Sequence, residues 1–186
     1  MLEQLGAPIV DSDVIARQVV EPGKPAWKQV VDYFGKQILQ KDGNLDRKKL
    51  SKIVFRDFEK RKKLESFTHP LIYDAYVKQA NEIMEKDPEA IIQVVVPLLI
   101  ELKLQYMFHK IVVVYIPQEL QVERLAERDG ISREEAANML KAQLPIEEKL
   151  EYADFVIHNE GSLDETKKYV DDLWQSLKRL QITYHP

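Results

Sequence analysis

Two short runs constrain this chain more than anything else in it. Ile91–Val96 and Lys110–Ile116 are almost wholly apolar and β-branched, without alternation between apolar and polar residues. A strand that is apolar on both faces must be covered on both, as in a parallel sheet with helices above and below. Two further β-rich runs, Pro8–Val10 and Asp154–Ile157, lie on either side of them. Apolar residues recur at helical spacing over Val14–Val20, Ala26–Phe34, Arg47–Phe55, Phe58–Phe67, Leu71–Met84, Leu120–Arg128, Arg133–Ala142 and Leu163–Leu180. Strands alternating with helices in this way predict an α/β fold with a parallel, doubly wound sheet. The helical stretch from Val14 to Met84 is too long for one crossover, so a helical subdomain is expected between the first two strands.

Local signals punctuate these elements. Gly35 follows Phe34 as a C′ residue, Asp46 and Asp57 stand at N-cap positions, and Ser132 with Glu135 has capping-box spacing. Asp87-Pro88 closes the long middle helix. Trp27, Tyr33 and Phe34 lie at helical spacing and read as core. The basic run Lys60-Arg61-Lys62-Lys63 reads as a solvated face.

Composition removes several classes of function. With 27 basic and 31 acidic residues the formal charge is −4, which gives no global pull toward nucleic acid or an anionic membrane. No basic surface interleaved with aromatics supports nucleic-acid binding either. The chain has no cysteine, so disulfides, thiolate catalysis and cysteine-based zinc sites are excluded. His69, His109 and His158 lack ligand spacing to one another, so no histidine metal site is expected. The most apolar segment, Val94 to Ile100, has seven residues and contains Pro97, too few to span a bilayer. No basic region followed by an apolar core opens the sequence, and a soluble cytoplasmic protein is expected.

Chemistry is suggested first by Asp11-Ser12-Asp13, directly after the first apolar run. If the strand continues, residues i and i+2 face the same side, and both carboxylates serve one pocket. Such a pair can hold a divalent cation through water or take a proton from a hydroxyl nucleophile. Alternatively Asp11 ends the strand and this tripeptide caps the next helix. Thr68-His69-Pro70 is expected at a helix start, with proline in the favoured first position. Arg124 and Arg128 share one helix face, suited to phosphoryl oxygens or to surface pairing with Glu123 and Glu127. Neither Gly23-Lys24 nor Gly35-Lys36 has the spacing of a phosphate-cradling P-loop.

Taken in order, these segments resemble the dephospho-coenzyme A kinase family over essentially the whole chain. The resemblance rests on Leu5-Gly6-Ala7-Pro8-Ile9-Val10-Asp11-Ser12-Asp13-Val14-Ile15-Ala16-Arg17, Val20-Glu21-Pro22-Gly23 with Ala26, and Asp42-Gly43 with Leu45. It continues through Thr68-His69-Pro70-Leu71-Ile72, Val96-Pro97-Leu98-Leu99 with Glu101, and Gln121, Arg124-Leu125 and Arg128-Asp129. Ala142-Gln143 and Ala153-Asp154, with Val156-Ile157 and Asn159, complete it. Two departures stand out. Family members place a strand and a Gly-rich P-loop, roughly twenty residues, before the helix that contains Leu5-Gly6. The chain read from Met1 begins inside that helix; an internal methionine taken as the start is the expected reason, with a naturally truncated protein as the alternative. The P-loop strand is central in this family's sheet, so Ile91–Val96 and Ile111–Ile116 are expected to lack their shared partner. Many members also carry Asp where this chain has Val95.

The resemblance implies a P-loop nucleotide-kinase-like parallel sheet with helices on both faces, lacking its first central strand. It implies one domain over residues 1–186, with a helical acceptor-binding insertion at about 14–86 and a lid at 118–150. The implied reaction moves the γ-phosphoryl of ATP to the 3′-hydroxyl of the ribose of dephospho-CoA, with ATP and dephospho-CoA as small-molecule partners. Asp13 is implied to orient and deprotonate that hydroxyl, and Arg128 to offset charge on the transferring group. Asp11, Arg17, His69, Leu98, Leu99 and Glu101 are implied on the acceptor side, and Arg124, Gln143 and Asn159 on the nucleotide side. Mg²⁺ is implied with ATP, held by the hydroxyl of the P-loop, with no direct ligand among the residues of this chain and with Asp11 near it through water. A non-catalytic dephospho-CoA-binding remnant and another small-molecule kinase of the same fold remain as alternatives.

Overall fold

The computed structural model describes residues 1–184, with side chains described through Gln181. Its strands are β1 (Ile9–Asp11), β2 (Gln93–Val95), β3 (Val112–Tyr115) and β4 (Phe155–His158). Its helices are α1 (Ser12–Gln18), α2 (Pro25–Phe34), α3 (Arg47–Arg56), α4 (Phe58–Lys86), α5 (Gln118–Asp129), α6 (Arg133–Leu140), α7 (Ile146–Lys149) and α8 (Leu163–Tyr184). The chain divides into two units, one spanning Pro8–Val96 and the other joining Met1–Ala7 to the chain from Pro97 onward.

In the first unit β1 and β2 run parallel, pairing Ile9 with Gln93, Val10 with Val94 and Asp11 with Val95. Helices α1 to α4 fill the connection between them, so the long helical interruption expected after the first strand is present. Pro25 opens α2 at its first position, and Gly35 closes it at φ +82°, a conformation that disfavours any side chain. Asp46 and Asp57 cap α3 and α4 by accepting from the Lys49 and Lys60 backbone N–H groups, both at 3.0 Å. The core is Val30, Phe34, Ile38, Leu45 and Leu50, with Trp27, Leu64 and Phe67 against it. Tyr33 is exposed, yet its ring meets Phe34 and Phe67 edge-on at 4.9 and 5.9 Å. Ile38 is fully buried where the chain passes from α2 to α3, and its carbonyl accepts from Asp46 N at 2.7 Å. Ile38→Val removes one methylene there, with an expected cost of about 1 kcal/mol and a melting temperature lowered by about 2–4 °C, measurable by calorimetry.

One expectation fails in this unit. The sequence spacing predicted two helices, with His69-Pro70 opening the second, whereas α4 is a single helix of 29 residues with Pro70 inside it. Pro70 cannot donate to the carbonyl four residues back. Around it Ser66 Oγ donates to Lys63 O at 2.8 Å and Thr68 Oγ1 to Leu64 O at 3.0 Å. Packing decides the matter. Helix α4 lies against α1, α2, α3 and β1. Those contacts offset the roughly 3 kcal/mol that an interior proline costs. The basic run on α4 is solvated as expected, with Lys60 paired to Asp57 at 3.0 Å and Arg61 to Glu65 at 2.8 Å.

In the second unit β3 and β4 run parallel, from Val112 beside Phe155 to Tyr115 beside His158. Asp154 fixes the start of both, accepting from Lys110 Nζ and Ile111 N at 2.8 Å each. Helix α8 packs on β4, where Ile157, Val170 and Leu173 are buried with Leu2 and Leu5 against them. Helix α6 starts in the predicted capping box, with Ser132 and Glu135 bonded reciprocally. Sequence spacing missed α7, although Pro145 precedes it, Glu147 and Glu148 sit in its first turn and Lys149 in its last. Among the described residues β2 pairs only with β1 and β3 only with β4. No described helix is long and apolar enough to cross a membrane.

Candidate active site

The two aspartates at the end of β1 have unlike surroundings. Asp11 is the last residue of the strand and the N-cap of α1, and its Oδ1 accepts from Asp13 N at 2.8 Å and Val14 N at 3.2 Å. That hydrogen bonding starts the helix at Ser12, so Asp13 lies in the first turn of α1 and not on a continued strand. The strand-alternation argument for a shared pocket therefore does not apply; helical geometry places Asp13. Ser12 between them donates its hydroxyl to Val95 O on β2 at 2.8 Å, tying α1 to the strand. Asp13 is exposed, and its carboxylate has no hydrogen-bond or ion-pair partner among the described residues. The anchored backbone fixes where Asp13 sits, and its carboxylate is free to accept a proton from a ligand hydroxyl.

The same unit holds Arg17 and His69. Arg17 stands in the last turn of α1, and α1 packs on α4, which carries His69 exposed in its middle. Because α4 does not begin at His69, no free backbone N–H groups surround the ring, and the imidazole alone remains to meet a ligand. Arg17 also lines a cavity that Arg47 shares. Arg47 was not singled out from sequence, where it reads simply as the residue after the α3 cap.

In the second unit Pro97–Leu104 folds into a compact turn, held by Leu102 N to Leu98 O and Leu104 N to Leu99 O, both 3.0 Å. Leu98 is exposed and Leu99 half-buried. Glu101 follows with 18 % of its side chain exposed, bonded to Lys149 Nζ of α7 at 2.8 Å; the lysine is 12 % exposed. The same Oε1 accepts from Leu144 N at 3.1 Å, while Oε2 is buried without a partner among the described residues. Burial pushes the Glu101 pKa up, but the hydrogen bonds from Lys149 and from backbone N–H groups outweigh it and leave it below the ordinary value. Glu101 thus ties the turn after β2 to the segment around α7. The family resemblance implies Glu101 on the acceptor side, and no sequence pattern marks Lys149. Glu101 and Gln143 line one cleft of about 680 Å³, with Lys103, Lys141 and Tyr152 also on its wall.

The other residues expected on the nucleotide side are not part of that cleft's lining. Arg124 is exposed on α5 without a partner among the described residues. Arg128 is engaged by its neighbour, donating from Nε to Asp129 Oδ1 at 2.7 Å and from Nη2 to Oδ2 at 3.0 Å. That pairing raises the Arg128 pKa and lowers that of Asp129. The surface pairing foreseen with Glu123 or Glu127 is thus made with Asp129. Asn159 ends β4: its N–H donates to Tyr115 O at 2.8 Å, and its Oδ1 accepts from the buried Thr166 hydroxyl at 3.2 Å. The amide nitrogen has no partner among the described residues.

No group of three or more acidic or histidine side chains among the described residues is close enough to hold a metal ion by itself. Asp11 keeps Oδ2 outside its capping bonds, which suits a hydrated ion brought by another anionic group.

Residues 1–165 match the family model described as CoaE, dephospho-CoA kinase. A Listeria monocytogenes protein named dephospho-CoA kinase is 44 % identical over 170 residues, 91 % of this chain and 84 % of that one. Its counterpart from Carboxydothermus hydrogenoformans is 43 % identical over 178 residues, covering 96 % and 86 %. Among solved structures, TT1252 from Thermus thermophilus superposes with a TM-score of 0.78 at 30 % identity, covering 95 % of this chain and 87 % of that one. Dephospho-CoA kinase from Campylobacter jejuni gives 0.68 at 32 % identity, covering 95 % and 88 %.

Proposed function

We propose, since this chain belongs to the dephospho-CoA kinase family, that it transfers the γ-phosphoryl group of ATP to the 3′-hydroxyl of dephospho-CoA, with Asp13 as the acceptor's base. The observation that carries the residue assignment is the contrast within Asp11-Ser12-Asp13: two members are held by α1 and β2, and the third is unengaged. Asp13 accepts the proton of the 3′-hydroxyl as its oxygen bonds to the γ-phosphorus. The bond from that phosphorus to the β,γ-bridging oxygen breaks, and ADP leaves.

The helices between about 14 and 86 hold the acceptor, through Arg17 on α1 and His69 on α4. Leu98 and Leu99 offer the acceptor an apolar wall, and Glu101 fixes the turn that carries them. The lid over 118–150 brings Arg124 and Arg128 to the phosphates, where Arg128 stabilises charge on the transferring group. Gln143 and Asn159 serve the nucleotide, Asn159 through its amide donor toward adenine. Asp11 Oδ2 would be available to a water of Mg²⁺ brought with the nucleotide, and the ion would supply neutralisation of phosphate charge.

Incubation of the protein, carrying the P-loop segment expected before Met1, with γ-labelled ATP is expected to place the label on dephospho-CoA and on adenosine or other nucleosides at far lower rates. Equal labelling of a different acceptor would replace the assigned substrate. Binding of dephospho-CoA by calorimetry without transfer of label, with that segment present, overturns the kinase reading in favour of acceptor binding alone.

A further inference from the structure

Within the Pro8–Val96 unit a cavity of about 270 Å³ opens between the end of α1 and the start of α3. Whole-ligand pockets are typically about 300–1,000 Å³, so this is the size of a subsite. Val20 and Leu45 supply its apolar surface, and Gln40 and Asn44 its uncharged polar surface. Its cations are Arg17 and Arg47, and neither is paired with a carboxylate among the described residues. The acids nearby are occupied. Glu21, on the wall, holds Lys24 at 2.8 Å. Asp46, next to Arg47, caps α3 and holds Lys49 Nζ at 3.3 Å.

Two like charges lining one small cavity repel, and position makes it worse for Arg47. It opens α3, whose first turn carries no acid, so its charge meets the positive end of the helix dipole. Burial first, and then the charge of Arg17, lowers its pKa. Hydrogen bonds brace the wall from behind. Gln40 N donates to Asn44 O at 2.8 Å, Trp27 Nε1 to Gly43 O at 3.0 Å, and Asn44 N and Nδ2 to Asp42 at 3.0 and 2.9 Å. A braced wall with two guanidinium groups that no carboxylate pairs suits an anion of matching charge. Guanidinium forks match phosphate oxygens bidentately, which favours a phosphoanhydride with two adjacent charged groups.

We propose that this cavity is the subsite for the diphosphate bridge of the acceptor, held between Arg17 and Arg47. The assignment rests on dephospho-CoA being the acceptor, and it adds Arg47 as a binding residue and the diphosphate as the group recognised. Adenosine, which lacks the bridge, does not use the cavity, and the phosphates of ATP do not occupy it.

Calorimetric titration of the full chain with dephospho-CoA, ATP, inorganic pyrophosphate and adenosine tests this. Arg47→Ala is expected to weaken dephospho-CoA binding about 10–100-fold, as removal of a charge-assisted pair does. Arg47→Lys is expected to recover only part, because the fork is lost. Pyrophosphate binding should weaken in parallel, while ATP and adenosine binding stay within twofold. Unchanged dephospho-CoA affinity in Arg47→Ala overturns the subsite and leaves the acceptor assignment standing. A wild-type chain that does not bind dephospho-CoA overturns the acceptor assignment itself, and this subsite with it. Equal losses for ATP and dephospho-CoA assign the cavity to the nucleotide instead. Arg47→Lys keeps the charge and the helix start, so the comparison stands even if Arg47→Ala fails to fold.

Discussion

Asp13→Asn is expected to lower kcat for phosphoryl transfer to dephospho-CoA by about 10²–10⁴-fold, with the KM for the acceptor changed by less than about threefold. At 1.36 kcal/mol per tenfold this is about 3–5 kcal/mol of transition-state stabilisation. Asparagine preserves size and hydrogen bonding to a hydroxyl but cannot take its proton. The helix is not at risk, because the cap of α1 is Asp11 and its anchor is Ser12. Asp11→Asn should therefore behave differently. Asparagine is as good an N-cap as aspartate, so α1 persists, and any loss should appear as a higher Mg²⁺ requirement. Steady-state kinetics on both variants, with Mg²⁺ titrations, separate the two roles. A kcat for Asp13→Asn within threefold of wild type removes Asp13 from the chemistry.

Lys149→Met is expected to produce the largest loss of stability among the charged positions, about 2–3 kcal/mol, or a melting temperature lower by about 5–10 °C. Removing one partner of a fully buried pair costs about 3–5 kcal/mol. Here 12 % and 18 % of the two side chains reach solvent, so the lower figure applies. Methionine keeps the aliphatic stem and deletes the charge, leaving Glu101 ionised in a site where one oxygen already lacks a partner. The pH profile gives a second readout. Glu101 has its pKa lowered in the folded protein from an ordinary 4.5. The unfolded chain therefore binds more protons in that range, and stability rises with pH there. The contribution is complete above the ordinary value and is lost as pH falls through the lowered one. Lys149→Met should flatten this acid limb. If Glu101 instead serves mainly to hold the acceptor, Glu101→Gln will weaken dephospho-CoA binding and leave the melting temperature in place.

Features that depend on a few consecutive residues were legible before any coordinates. The caps at Asp46 and Asp57 and the Ser132–Glu135 box are bonds across three residues, so sequence spacing alone specifies them. The parallel strands followed from β-branched runs with no polar face. Helix α4 was misread at Pro70 because local propensity and tertiary packing conflict there, and packing against three helices prevails. Asp13 was recognised as a candidate from its spacing, but its isolation became visible only when Asp11 and Ser12 were seen to be engaged. Lys149 and Arg47 were missed for a common reason. Each gains its meaning from a partner distant in sequence, Glu101 in one case and Arg17 in the other, and no local pattern announces such a meeting.

The closed fork between Arg128 and Asp129 has a consequence for how an oxyanion is captured. The guanidinium waits already matched to a carboxylate of the shape and charge it is made to recognise. If Arg128 takes the proposed role, an incoming phosphoryl oxygen enters by counter-ion exchange and releases Asp129 in the same event. The free energy of that swap would be the difference between two similar contacts, which would keep capture readily reversible.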